Sequence, residues 1–192
     1  MPSGRQVTTI LTFDAQITSN FGGDISKSST LDNNYAIADA ISQAAVIRLT
    51  DIPADFNEAI SIKVRLDNVR FDNPAGAKSN AATIRTTLGD GSTTFYTEDL
   101  SALVNRSVFL EGTERTTSNG SAAWTSTQLN DLQLGLEVTA AVPNIGNGVY
   151  IDFAYVEVTY FTPPPPSYDS TIGRVIMDSG TTILSGGTVI LD

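Results

Sequence analysis

Carboxylates and aromatic rings are the groups through which this sequence could do chemistry, because it contains no histidine and no cysteine. Without them there is no Ser-His-Asp or Cys-His nucleophile pair, no imidazole base, and no thiolate or imidazole zinc site. Asp14, Asp67, Asp72, Asp90 and Asp152, with Asn68 and Asn73, are oxygen donors of the kind calcium uses, but their spacing does not follow an EF-hand loop. Asp67 with Asp72, or Glu98 with Asp99, could act as a glycosidase pair only if two carboxyls were held across a cleft. Neighbours in a strand point to opposite faces, which opposes that role for Glu98 and Asp99. These residues are read as solvated turn and surface groups, with no catalytic residue, no metal and no cofactor expected.

Tyr96, Trp124, Tyr150, Tyr155 and Tyr160 could stack on sugar rings if several lay exposed on one face. They sit in strongly apolar segments and are read instead as core or edge residues. The candidate functional residues lie at the C-terminus, after the proline run Pro163 to Pro166. There a short apolar unit repeats, with Ile176, Ile183 and Ile190 seven positions apart (183 − 176 = 190 − 183 = 7). Each β-branched cluster is followed by turn residues such as Asp178-Ser179-Gly180 or Ser185-Gly186-Gly187, a pattern that favours very short strands over helix. Strands this short need partners. Val175, Ile176, Met177, Ile183, Leu184, Val189, Ile190 and Leu191 are therefore assigned to an interface formed by strand pairing with another chain. The prolines act as a stiff spacer. The expected organisation is a body over residues 1–162, a linker over 163–166 and a strand-forming arm over 167–192.

The 192 residues can bury one substantial core, and the formal net charge is −10 with no cluster of Lys and Arg. Binding a phosphate backbone relies on cationic side chains, so no nucleic-acid partner is expected. The N-terminal Met-Pro-Ser-Gly-Arg-Gln carries no signal-type apolar run, and no stretch of about 18 apolar residues occurs. No membrane partner is expected, and synthesis in a cytoplasm is.

Strands dominate the pattern. Val7 to Phe13 reads as the first, and Ser19 to Asn34 as a polar loop; Ala45 to Leu49 resembles a strand inside a segment whose alanines also allow helix. Ile60, Ile62, Val64 and Leu66 alternate with polar residues, and Val69 and Phe71 continue in the opposite phase, which predicts a bulge at Asp67-Asn68. Thr83 to Leu88 and Thr93 to Thr97 flank a Gly-supported turn, Ser107 to Glu111 is a short strand, and Gly112 to Ala123 a loop. Trp124 anchors a predicted helix capped by Thr125 and Gln128, with Leu129, Leu132 and Leu136 on one face and Gly135 at its exit. In Val149 to Phe161 both phases are apolar, so a second bulge is predicted near Asp152. Many short strands with one small helix amount to an all-β antiparallel sandwich, of jelly-roll type, plus the arm.

Two stretches carry a resemblance. Trp124-Thr-Ser-Thr-Gln-Leu-Asn-Asp-Leu-Gln-Leu-Gly-Leu, followed by Val149-Tyr-Ile-Asp-Phe-Ala-Tyr-Val-Glu-Val-Thr-Tyr, resembles the closing helix and last strand of jelly-roll virion proteins of tailed bacteriophages. Leu31-Asp32-Asn33-Asn34-Tyr35 resembles their early polar loop. The resemblance covers residues 10 to 161 in outline and omits the C-terminal repeat. It implies a non-enzymatic structural protein on the virion surface, a capsid cement or decoration protein. Its expected partners are further copies in a homotrimer and the major capsid protein or other virion proteins. The alternative is a carbohydrate-binding host-recognition module of a tail or head fibre.

Overall fold

A computed structural model describes residues 4–72, 81–103, 107–120, 122–141, 148–164, 167–169, 174–176 and 182–183. In chain order the strands are β1 (Gln6–Leu11), β2 (Phe13–Ser19), β3 (Ala36–Ala38), β4 (Ala44–Leu49), β5 (Glu58–Asp72), β6 (Ala81–Gly89), β7 (Thr94–Leu103) and β8 (Val108–Glu111). A short helix, α1 (Ser126–Asn130), precedes β9 (Gln133–Ala141), β10 (Gly148–Ile151) and β11 (Phe153–Phe161). The C-terminal segment adds β12 (Ser167–Asp169), β13 (Arg174–Ile176) and β14 (Thr182–Ile183).

Strand pairing in the body is nested. β1 pairs β11, β4 pairs β9, β5 pairs β8 and β6 pairs β7, all antiparallel. A long hairpin rolled onto itself gives this order, and it produces two facing sheets: β1-β11-β5-β8 and β4-β9-β6-β7. The fold is a jelly-roll β-sandwich. β2 extends the second sheet beside β4, and β10 with β3 extends the first beside the far end of β5. The single strand expected over Val7 to Phe13 is in fact two, because the chain leaves the first sheet after buried Leu11 and joins the second at Phe13.

The inward faces supply the core. Ile47, Leu49, Ile84, Leu134, Leu136 and Val138 from the second sheet meet Ile62, Val64, Leu66, Val156, Val158 and Tyr160 from the first. Trp124 is 3% exposed and packs edge-on against Phe95 at 5.3 Å, with its Nε1 donating to the Arg115 carbonyl. Behind it Thr125 and Gln128 form the expected capping box. The helix is shorter than its leucine spacing implies. It ends at Asn130, and Leu134, Leu136 and Val138 lie in β9 with Gly135 mid-strand. Leu132, Leu134 and Leu136 also alternate by two, and pairing of β9 between β4 and β6 decides for the strand.

Both predicted bulges are present, and they adjoin. β5 buries Ile62, Val64 and Leu66, then Val69 and Phe71; the switch occurs at Asn68, whose φ is 52°. Val149 and Ile151 are buried on β10 and Ala154, Val156, Val158 and Tyr160 on β11, with Asp152 between them. Phe153 pairs Asp67, so the two phase changes fall side by side. Without them Arg70 would face the core and Phe71 the solvent.

Asp152 ties this point together. Its carboxylate is fully buried and accepts from the Asn68 side-chain amide at 2.7 Å and from the backbone N–H groups of Asn33 at 3.0 Å and Asp32 at 3.2 Å. Asn33 is itself left-handed, with φ 63°. The loop expected over Ser19 to Asn34 contains the end of β2 and a 3-10 turn over Ile25–Ser28 capped by Asp24. The Asn20 and Gly23 N–H groups donate to the Ala44 and Ile37 carbonyls, and the Asp152 bonds seat the turn at Asp32 and Asn33. Asp152→Ala leaves the Asp32 and Asn33 N–H groups without their acceptor and takes one of three acceptors from the Asn68 amide, which also donates to Tyr35 and Asn33; an expected loss of about 3 kcal/mol in urea unfolding follows. Asp152→Asn, which keeps one acceptor oxygen, is expected to lose less.

Candidate assembly element and aromatic face

The interface residues assigned from sequence fall on the C-terminal segment. β13 pairs β12 on one side and β14 on the other, so the three strands form a small antiparallel sheet of their own. Val175 and Ile176 lie on β13 and Ile183 on β14, with Val175 opposite Ile183 and Ile176 opposite Thr182. Met177, Leu184, Val189, Ile190 and Leu191 lie outside the described residues. Among the described residues, no strand of this sheet pairs with a body strand. The body closes before the proline run, where the Thr162 N–H donates to the Arg5 carbonyl at 2.9 Å.

The body's most organised surface is the outer face of the first sheet. Strand register sets its rows: Tyr155 lies opposite Arg65, which lies opposite Glu111; Glu157 lies opposite Lys63; and Phe153 lies opposite Asp67. Phe153 and Tyr155 stack at 4.5 Å. Arg65 pairs with Glu111 and, at 3.2 Å, with Glu157, while its guanidinium lies 4.8 Å over the Phe109 ring. Two carboxylates and one ring thus fix a planar cation in place. Lys63 joins Glu111 at 2.8 Å, and this Lys63 bond is the main cause holding the Glu111 carboxyl below its ordinary value. Past the bulge, Arg70 lies between the rings of Tyr35 at 4.9 Å and Tyr150 at 4.6 Å. An aromatic and charged band therefore crosses this face, and Phe109 is its most open ring at 49% exposure.

Of the five rings weighed from sequence, Tyr150 and Tyr155 lie on this band. Trp124 and Tyr160 are core residues, and Tyr96 packs on Trp124 while its hydroxyl donates to the Thr117 carbonyl. Tyr35, Phe109 and Phe153 belong to the band and were not singled out. The phase switch at Asp152 was the available signal for Phe153, because it turns Phe153, Tyr155 and Glu157 outward together.

Of the carboxylates weighed from sequence, Asp67 and Asp152 come near each other beside Asn68, and the others are dispersed. Asp14 pairs with Arg48 at 3.1 Å, and Asp90 caps its own turn. Glu98 accepts from the Thr113 N–H at 2.9 Å and pairs with Arg115, whereas Asp99 pairs with Arg85 across the strand. The Asp72 side chain and Asn73 lie outside the description. Among the described residues, no three Asp or Glu side chains gather as ion ligands, and no helix is long and apolar enough to cross a membrane.

Asp67 is the perturbed acid of the band. Burial pushes its carboxyl above the ordinary value, against the hydrogen bond from the Tyr155 hydroxyl at 3.4 Å, and its Oδ1 is buried with no hydrogen-bond partner. The folded chain therefore favours the protonated form. The stability this confers is present at low pH and is lost as pH rises through the raised value. Asp67→Asn removes the titration and keeps an acceptor for Tyr155. Thermal melts are expected to show a higher Tm than the parent at about pH 7 and no gain at about pH 3.

No family model matches the chain, and no curated protein does. Among solved structures it is similar to a truncated AlyQ with CBM32 and alginate lyase domains, with a TM-score of 0.42 and 14% identity. The match covers 85% of this chain and 36% of that one, so the chain spans about a third of its length.

Proposed function

We propose that this chain is a non-enzymatic virion structural protein, a cement or decoration protein that sits on the outside of a bacteriophage head. The single observation that carries the reading is the C-terminal sheet. It follows a body already closed at Thr162, and among the described residues its outer strands, β12 and β14, pair only with β13. Open strand edges recruit strands from other chains. Here they would join copies into a homotrimer and reach the major capsid protein or another virion protein. The resemblance of Trp124 to Tyr160 to phage jelly-roll proteins supports the same reading, as does an acidic surface without a basic patch. A ligand that binds only the assembled shell stabilises it by mass action, and multiple copies multiply a weak individual contact.

A second reading, a carbohydrate-binding host-recognition module, is favoured by one observation: the band of Phe109, Phe153 and Tyr155 with Arg65 on the outer face. The two are separable. Deleting residues 167–192 is expected to leave the body's circular dichroism and Tm unchanged while sedimentation shows a trimer becoming a monomer and shell binding is lost. An unaltered mass and unaltered shell binding would overturn the assembly role. On the second reading, Tyr155→Ala and Phe109→Ala weaken retention by host polysaccharide in affinity electrophoresis by about tenfold, and the deletion does not.

A further inference from the structure

We propose that the outer face of the second sheet holds a pocket for one neutral sugar ring, centred on Gly135. The site goes beyond the assembly reading, since it lies wholly within the body and on the sheet opposite the aromatic band.

Three neighbouring strands make its floor. Val46 on β4, Gly135 on β9 and Thr87 on β6 form one cross-strand row. With no side chain at its centre, the row dips, and Thr87 leans in so closely that a Cβ on Gly135 would stand 3.3 Å from the Thr87 Cβ. Gln133, two residues before Gly135 on the same face, walls one end. The β6–β7 turn folds over it: Gly91, at φ 86°, passes so near that a Cβ there would lie 2.7 Å from the Gln133 Nε2. These residues and Ser92 enclose about 200 Å³ of open-mouthed space.

The turn is rigid before any ligand arrives. Asp90 accepts from the Thr93 N–H at 2.7 Å, the Ser92 hydroxyl at 2.8 Å and the Ser92 N–H at 2.9 Å. Its charge is spent on the turn and not on the cavity. A preformed wall lowers the ordering cost of binding.

The lining selects the ligand class. It carries no charged side chain, so an ion would be desolvated without a partner. Among the described residues, neither the Gln133 amide nor the Thr87 hydroxyl has a protein hydrogen-bond partner, so a purely apolar ligand would leave both unpaired. Val46, the glycines and the threonine methyl offer an apolar patch beside these groups. A ligand with closely spaced donors and acceptors around a small C–H face meets all three conditions, and a pyranose is such a ligand. The volume is below the roughly 300 Å³ at which drug-sized pockets begin, so one ring enters and not an oligosaccharide.

The test titrates the full chain with glucose, galactose, mannose and N-acetylglucosamine, followed by amide chemical shifts. The expected result is saturable binding of at least one sugar with a Kd of about 1 mM, with shifts confined to Val46 and its neighbours, residues 87–94 and residues 133–135. Gln133→Ala and Thr87→Val, both surface changes, are expected to weaken it about tenfold, and Gly135→Val to abolish it, while Tyr155→Ala has no effect. No saturation by any of the four sugars, or shifts that map to the aromatic band and vanish with Tyr155→Ala, would overturn the proposal. The second of these outcomes would support sugar recognition at the band instead.

Discussion

The structure depends on one buried charge. Two adjacent strands of the first sheet change phase at the same level, and a phase change interrupts the hydrogen-bond ladder. Asp152 supplies an acceptor beside it, for the Asn68 side chain and for two N–H groups of the neighbouring turn. Its carboxylate joins the bulge on β5, through Asn68, to the turn at Asp32 and Asn33, and so seats the segment that delivers β3 to the sheet edge. A buried charge is tolerated only when it is bonded this fully. With the phase corrected, Phe71, Val69, Val149 and Ile151 join the core, and Arg70 turns outward to lie between Tyr35 and Tyr150.

The same switch sets what the surface displays. Because side chains alternate along a strand, placing Val156, Val158 and Tyr160 inside obliges Phe153, Tyr155 and Glu157 to face out, opposite Asp67, Arg65 and Lys63. The charged pairs on this face are partly exposed and contribute little stability individually. Their effect is to hold rings and a guanidinium in fixed positions. The second sheet presents a different surface, in which a glycine at a row centre and an overhanging turn leave a neutral depression. The body thus offers two chemically distinct faces, and the C-terminal sheet is a third element that draws no strand pairing from either among the described residues.

Much of this was legible in the chain. Two out-of-phase apolar sets, Ile62-Val64-Leu66 against Val69-Phe71 and Val149-Ile151 against Ala154-Val156-Val158, can both be buried only if the strand bulges between them, so Asn68 and Asp152 were marked by pattern alone. The capping box at Thr125 and Gln128 and the turn at Gly89 to Ser92 follow from local hydrogen-bonding chemistry in the same way. Composition also marked the short strands β13 and β14, though not β12, and the strand expected over Val189 to Leu191 lies outside the described residues. The helix end did not, because Leu129, Leu132, Leu134 and Leu136 satisfy a helical and a strand period at once. The break after Leu11 was equally hidden, since the run from Val7 to Phe13 is uniformly strand-like and nothing local marks where it changes sheets.

The sequence by itself determined the phase changes along β5 and between β10 and β11, the turn at Gly89 to Ser92, the capping box and the absence of thiol and imidazole chemistry, because these depend on composition or on residues a few positions apart. Tertiary structure alone decided which strands became neighbours, and with them that Asp152 meets Asn68, that Tyr155 meets Arg65 and Asp67, and that Gly135 lies between Val46 and Thr87. These contacts join segments up to 90 residues apart, as between Arg65 and Tyr155 (155 − 65 = 90). Such pairings are fixed by the packing of two whole sheets, and no local pattern encodes them.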